Sequence, residues 1–285
     1  MNRNEFLQEV CSSDLCPADF EKVYTEFRKY QKAAMDTLLE FHRVCEKNGI
    51  DYQLAYGSLL GAIRDGGQIP WDYDIDVIIP YEQNEKLIEA LKKDLNKDYY
   101  FYCPEVDPKC RHYMMRLAPV GYRTEALHVD VFYNVGMPSE TENHPARVKD
   151  LYALFHSRYL KLVCAGEESG GDLRRWARLI KGKLKLLTMP LSQIEKRFDS
   201  MCAQCPLADS ETCAVVGDNK LTMPTQLLWD TMLYETEAGT FRITKNYEQI
   251  LTLMYGDYKK IYPLESRLKE IMRYYRRLVR FETKK

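Results

Sequence analysis

The sequence predicts an α+β chain: a mixed-sheet core flanked by helices, with a mainly helical C-terminal part. Three observations predict it. Up to residue 138, short apolar runs of strand character alternate with helical periodicity and are joined by brief loops. No segment repeats, which excludes a solenoid. Past Pro138 the pattern turns helical. The expected organisation is a catalytic core over residues 1–138, including an N-terminal helix, completed by residues 139–285. At roughly 150 residues per domain, the length accommodates this as one large unit.

The elements follow in order. Val23, Phe27, Ala34, Leu38, Phe41 and Cys45 recur every three or four residues, so residues 17–47 form one long helix stopped at Asn48-Gly49. Residues 50–55 read as a strand and 58–64 as a helix entered through Gly57-Ser58. Asp65-Gly66-Gly67 is a turn, after which Ile69-Pro70-Trp71 leads into a strand at 75–79. Leu87, Ile88 and Leu91 share one face of a helix over 82–95. Residues 99–103, 113–117 and 126–133 read as strands. Further on come a helix at 145–165, a Gly-rich break at 166–171 and a basic amphipathic helix at 173–187. A cysteine-bearing loop follows at 202–213, then a helix capped by Asn246 and stopped by Gly256, then a basic helix at 264–281.

Composition excludes several classes. Lys plus Arg total 41 and Asp plus Glu 42, a formal net charge of −1. Binding to a nucleic-acid backbone needs a basic excess, so no nucleic-acid partner is expected. No window of roughly 18 apolar residues is present to span a bilayer. The first ten residues, MNRNEFLQEV, lack the apolar stretch of a secretory signal. Nine cysteines, an odd number, fit reduced thiols in a cytoplasmic protein. The one excess is 21 Tyr. Aromatic rings bind quaternary ammonium groups, although most of these rings must be packing residues.

The stretch YGSLLGAIRDGGQIPWDYDIDVIIP, residues 56–80, carries the chemistry. Gly57-Ser58 stands between a strand and a helix, where backbone N–H groups and the helix N-terminus favour an anion. Asp74 and Asp76 are two apart in a strand-like run, so their carboxylates share a face and repel. A hard divalent cation, Mg²⁺ or Mn²⁺, relieves that repulsion. Asp130, in a second strand-like run, supplies a third carboxylate if the two strands are neighbours. Metal ions so held clamp the attacking and leaving oxygens of a phosphoryl displacement. The competing reading is that all three are solvent-facing strand acids. The Gly-Ser turn, the apolar flank Val77-Ile78-Ile79 and Asp130 together favour the site.

These residues carry a resemblance. G-S-L-L-G-A-I-R followed by I-P-W-D-x-D-I-D resembles the LicD family of phosphotransferases, to which fukutin-like proteins are related, within the nucleotidyltransferase superfamily. The segment CEKNGIDYQLAYGSLLGA and the distal YGDYKKIYP follow the family arrangement as well. Tyr73 departs from it, standing where the family commonly has Asp; Asp72, Asp74 and Asp76 remain. Arg267 follows the distal segment, but the His that often accompanies it is missing.

The resemblance implies a nucleotidyltransferase-like core and transfer of phosphocholine from CDP-choline, or a related CDP-linked donor. The acceptor would be a sugar hydroxyl of a cell-surface glycan, teichoic acid or lipopolysaccharide. Asp74, Asp76 and Asp130 would be catalytic and metal-binding, with Asp130 also a candidate base. Gly57 and Ser58 would cradle a donor phosphate. Arg64 would reach the same phosphates, or else be a solvated helix-end Arg, and Asp72 would orient a ligand. Tyr255, Asp257 and Tyr258 would support the substrate. The alternatives are NMP transfer from an NTP to a small acceptor, and a non-catalytic binding protein.

Other features have a functional and a plain reading. Trp71 either stacks on substrate or packs in the core. The histidines, His112 and His128 included, show no i, i+4 pairing and read as ordinary residues. Cys202, Cys205 and Cys213 could hold a structural Zn²⁺, or be reduced thiols in a loop. The helix at 173–187 interleaves Arg174, Arg175, Arg178, Lys181, Lys183 and Lys185 with apolar residues. It either touches the inner face of an anionic membrane, near lipid-linked acceptors, or packs its apolar face into the core.

Overall fold

The computed structural model describes residues 1–139, 144–218 and 222–282, with side chains as far as Leu278. The side chains ending the expected basic helix at 264–281, and the last residues of the 139–285 part, lie outside the described residues.

Helix α1 (Arg3–Cys11) opens the chain. No apolar periodicity announces it, but its start carries a capping box. The Glu5 N–H donates to the Asn2 side chain, and the Asn2 N–H donates back to the Glu5 carboxylate. Helix α2 (Phe20–Asn48) is the long predicted helix. Its stripe of Val23, Phe27, Ala34, Leu38, Phe41 and Cys45 is buried.

The sheet is mixed and, among the described residues, has seven strands. Strand β1 (Gln53–Leu54) pairs antiparallel with β2 (Ile75–Pro80), and helix α3 (Tyr56–Arg64) lies between them in sequence. After α4 (Asn84–Asp94) come β3 (Tyr99–Tyr102), β4 (Met115–Pro119) and β5 (Val129–Gly136). The spatial order is β1-β2-β5-β4-β3, with β2 and β5 parallel and the other pairs antiparallel. Strand β5 is buried nearly throughout, as a central strand should be.

The second part is helical, with α5 (His144–Leu162), α6 (Ala165–Ser169), α7 (Leu173–Lys185) and α8 (Leu191–Ala203). It also contains strands that the pattern did not announce. β6 (Thr212–Val215) pairs with the end of β5, and β7 (Thr222–Pro224) pairs with β6. These runs are too short to show a period. Beyond α9 (Thr225–Trp229), β8 (Thr231–Thr236) and β9 (Gly239–Thr244) form a separate hairpin. Helices α10 (Tyr247–Tyr255) and α11 (Leu264–Glu282) end the described chain. One core cluster runs from Phe6 of α1 through the sheet to Leu278 of α11, so both parts share it.

Candidate active site

The site forms where α3 meets the starts of β2 and β5. Along residues 71–77 the chain alternates. Trp71, Tyr73, Ile75 and Val77 are buried, whereas Asp72, Asp74 and Asp76 are partly exposed. Asp76 lies in β2 and Asp74 one residue before it. Alternation also explains Tyr73: it turns to the other face, where its ring meets Tyr274 of α11 at 3.9 Å. Both hydroxyls still feel the site's charge, Tyr73 that of Asp74 and Asp130 and Tyr274 that of Asp74 and Asp72.

The parallel register sets Asp130 directly beside Asp76. The strand neighbourhood on which a third carboxylate depended is present. On the other side of β5, Arg116 of β4 is the register partner of Asp130, and its Nε donates to Oδ1 at 2.8 Å. His128 Nε2 lies 3.2 Å from Oδ2, and the other ring nitrogen of His128 faces the Thr124 carbonyl. Burial by itself would raise the Asp130 carboxyl; Arg116 and His128 outweigh it and hold the group well below the usual carboxylate range.

Asp76 and Asp72 behave oppositely. Burial, together with the charge of Asp74, pushes both well above the ordinary value; Asp130 and Asp72 add to the effect on Asp76. Arg116 opposes the shift at Asp76, but no ion pair reaches Asp72, Asp74 or Asp76 among the described residues. A negative field is thus left uncompensated on one side of the cluster, and balanced at Asp130.

Local contacts explain the motif. The Asp76 N–H donates to Ser58 Oγ at 2.9 Å, tying the start of α3 to β2. A Cβ at Gly57 would lie 2.8 Å from Asp72 Oδ2, and one at Gly61 would lie 2.5 Å from the Gly67 carbonyl. The two glycines permit two close approaches, one of them by a site carboxylate. Tyr56, the first residue of α3, has φ +46°, the sole non-glycine residue at positive φ among the described residues. Strain of this kind costs of order 1–3 kcal/mol and concentrates at functional sites. The Tyr56 hydroxyl hydrogen-bonds Asp218, and Asp76 and Tyr255 lie close enough to raise its pKa.

Arg64 is occupied within the chain. It donates to Asp65, at 2.7 Å from Nη2, and lies 5.6 Å from the Trp71 ring centre. Trp71 is a core residue, packed on Phe6 at 5.3 Å with Arg267 on its ring at 5.0 Å. Arg267 also pairs with Glu9, at 2.6 and 2.8 Å. The distal signature is thereby drawn onto the front motif. Tyr255 senses the charges of Asp76 and Asp72, and Tyr258 is buried.

Sequence reasoning missed Arg116, His128, Tyr274 and Asp218. His128 carried a readable signal, because H-x-D at the start of a strand puts both side chains on one face. Arg116 gave none, since its role comes from the β4–β5 register.

The cysteines Cys202, Cys205 and Cys213 are free. Cys202 is buried in α8. Cys213 is buried in β6, its thiol raised to about 11 by burial against the hydrogen bonds of Asn134 and Thr225. Among the described residues, no three His, Cys, Asp or Glu side chains form a group able to hold a metal ion, here or at the carboxylates.

A mixed sheet with carboxylates at the starts of β2 and β5 is the arrangement that the resemblance implies for a nucleotidyltransferase-like core. Residues 49–156 match the family described as LicD/FKTN/FKRP, nucleotidyltransferase domain. The chain is 26% identical over 262 residues to the lipopolysaccharide cholinephosphotransferase LicD of Haemophilus influenzae, covering 84% of this chain and 93% of that protein. Over 39 residues it is 56% identical to the ribitol 5-phosphate transferase FKRP of mouse and of human, 14% of this chain and 8% of those proteins.

Proposed function

We propose that the chain is a metal-dependent phosphotransferase moving phosphocholine from CDP-choline onto a sugar hydroxyl of a cell-surface glycan of the lipopolysaccharide or teichoic-acid type. The observation that carries this reading is the uncompensated Asp74–Asp76 pair beside Asp130, on a chain similar over most of its length to a cholinephosphotransferase.

The donor set fits Mg²⁺ or Mn²⁺. Such an ion takes one or two protein carboxylates and completes its shell with water and substrate phosphate, so a closed protein cage is not required. Asp74 and Asp76 would hold it, and when bound it would screen the donor pyrophosphate. The N-terminus of α3 at Gly57-Ser58 would receive a donor phosphate on the positive end of the helix, with the Ser58 N–H itself turned to the Ala55 carbonyl at 3.0 Å. Arg64 stands at the far end of the same helix with its charge balanced by Asp65, so the donor phosphates are left to the helix N-terminus and the metal ion. Asp72, packed against Gly57, would orient Asp74. The acceptor oxygen attacks the choline-bearing phosphorus, the bridging P–O bond breaks, and CMP leaves with the electron pair. The hydroxyl proton passes to water, and Asp130, which Arg116 and His128 keep ionised and in place, would complete the carboxylate set.

The test is product mass. Purified protein, Mg²⁺ and CDP-choline are incubated with isolated lipopolysaccharide, with an NTP mixture in parallel. A phosphocholine gain on the acceptor with release of CMP is expected. A gain of NMP from the NTP arm would transfer the assignment to nucleotidyl transfer, and no product in either arm would favour a binding protein. The short FKRP match makes CDP-ribitol the second donor to include.

A further inference from the structure

Helix α7 does not bury its apolar face. Leu173 is 80% exposed, Leu184 62%, Trp176 43%, and Leu187 in the following turn 73%. Leu173, Leu184 and Leu187 share a stripe with Ala177 at i, i+4, i+11 and i+14, flanked by Trp176, while Ile180 at i+7 is partly buried on the Val163, Ala165 and Leu179 cluster. One position along runs a second stripe: Arg174, Arg178, Lys181 and Lys185, all exposed and without an ion pair among the described residues. At 100° per residue the two stripes are adjacent.

A third face attaches the helix to the protein. Leu179 is buried against Val163 and Ala165, and Gly182 abuts Leu160. Lys183 Nζ donates to the carbonyls of Leu160, Lys161 and Val163 at 2.8–2.9 Å, closing the C-terminus of α5. Arg175 pairs with Glu168. The two cations lost to structure are therefore on the attached side, while the other four border the apolar stripe. The expectation of a core-packed apolar face does not hold, because α5 is met by Leu179, Gly182 and Lys183 instead.

We infer that α7 is a docking surface for an anionic phospholipid bilayer, lying in the interface with Leu173, Trp176, Leu184 and Leu187 inserted and Arg174, Arg178, Lys181 and Lys185 on the headgroups. Charge chooses this occupant: an apolar stripe bordered by four unpaired cations matches a surface that is negative outside and apolar just beneath. The platform is linked to the site. Ile180 and Tyr159 pack on one cluster, Tyr159 stacks on His112 at 5.5 Å, and His112 lies close enough to Arg116 and Asp130 to feel their charges. Taken with the proposed glycan transfer, on which this last step rests, the arrangement would present the carboxylates to an acceptor carried on a lipid.

Flotation of the purified full chain tests the surface without catalysis. The probes are vesicles of phosphatidylcholine alone and of phosphatidylcholine with about one-third phosphatidylglycerol. The chain is expected to float with the anionic vesicles, and less so in high salt. Leu184→Ser with Leu187→Ser, and separately Lys181→Glu with Lys185→Glu, should each lower the bound fraction by about tenfold or more, with unchanged CMP release on a soluble acceptor. A chain that stays in the soluble fraction with both vesicles overturns the inference. So does a dimer in size-exclusion chromatography that Leu184→Ser dissociates, because a second copy would then cover the stripe. Flotation without any transfer would remove the functional reading alone; transfer without flotation would remove only the surface.

Discussion

Asp130 is the residue whose environment does most to define the site. It stands beside Asp76, yet each of its oxygens meets a cationic or proton-bearing partner. A buried carboxylate that loses such a partner becomes an uncompensated charge. Replacing Arg116 by Leu is expected to lower stability by about 3–5 kcal/mol, read in urea denaturation, and to depress transfer as well. Arg116→Lys should recover part of the stability while losing the directed Nε contact. Equal stability for the Leu variant and the native chain would mean that the pair contributes nothing. At this scale Asp74, Asp76 and Asp130 were legible, since carboxylates in strand-like runs are visible in sequence. The occupation of Asp130 was not, because Arg116 reaches it only through the pairing of β4 with β5.

At the level of elements, the chain shows how one helix divides its surface among three surroundings. Lys183, on paper one more cation of a basic helix, ends α5 instead. A cation at a helix C-terminus satisfies open carbonyls and the dipole together. Lys183→Met keeps the aliphatic stem and removes these bonds. It should cost about 1–3 kcal/mol in thermal or chemical unfolding, and weaken flotation by loosening α7. The same substitution at exposed Lys181 should leave stability unchanged within about 0.5 kcal/mol. The periodicity of 173–187 was readable; which stripe faced the protein was not. Both apolar faces have the right spacing, and only the position of α5 selects Leu179 and Gly182 over Leu173 and Leu184.

On the scale of the whole molecule, the carboxylate cluster couples charge to folding. A carboxyl whose folded pKa is raised binds its proton more tightly in the native state. Asp72 and Asp76 therefore make the metal-free protein less stable as pH rises above the ordinary carboxylate range. Asp130 acts oppositely: its contribution is present above that range and lost as pH falls below it. His112, lowered to about 3 mainly by burial, costs stability as pH falls below the usual histidine range. A difference measurement isolates Asp76. Asp76→Asn should be more stable than the native chain by about 1 kcal/mol or more near neutral pH, with the gap closing in acid. Transfer should be lost, and Mg²⁺ should raise the melting temperature of the native chain but not of the variant. A native chain indifferent to Mg²⁺ at neutral pH would remove the metal from the proposed mechanism.

The sequence by itself determined the α+β class, most of the helices, the alternating acids and the family they resemble. Those features are written in local periods and short spacings, which survive without knowledge of partners. The tertiary structure decided the rest. It joined β6 and β7 to the sheet, stacked Arg267, beyond the distal segment, on Trp71 of the front motif, and turned Gly57 into a seat for Asp72. It also balanced Asp130 while leaving Asp74 and Asp76 open, and faced the apolar stripe of α7 outward. Each of these depends on groups far apart in the chain, and what a charge or an apolar face does depends on what is packed against it.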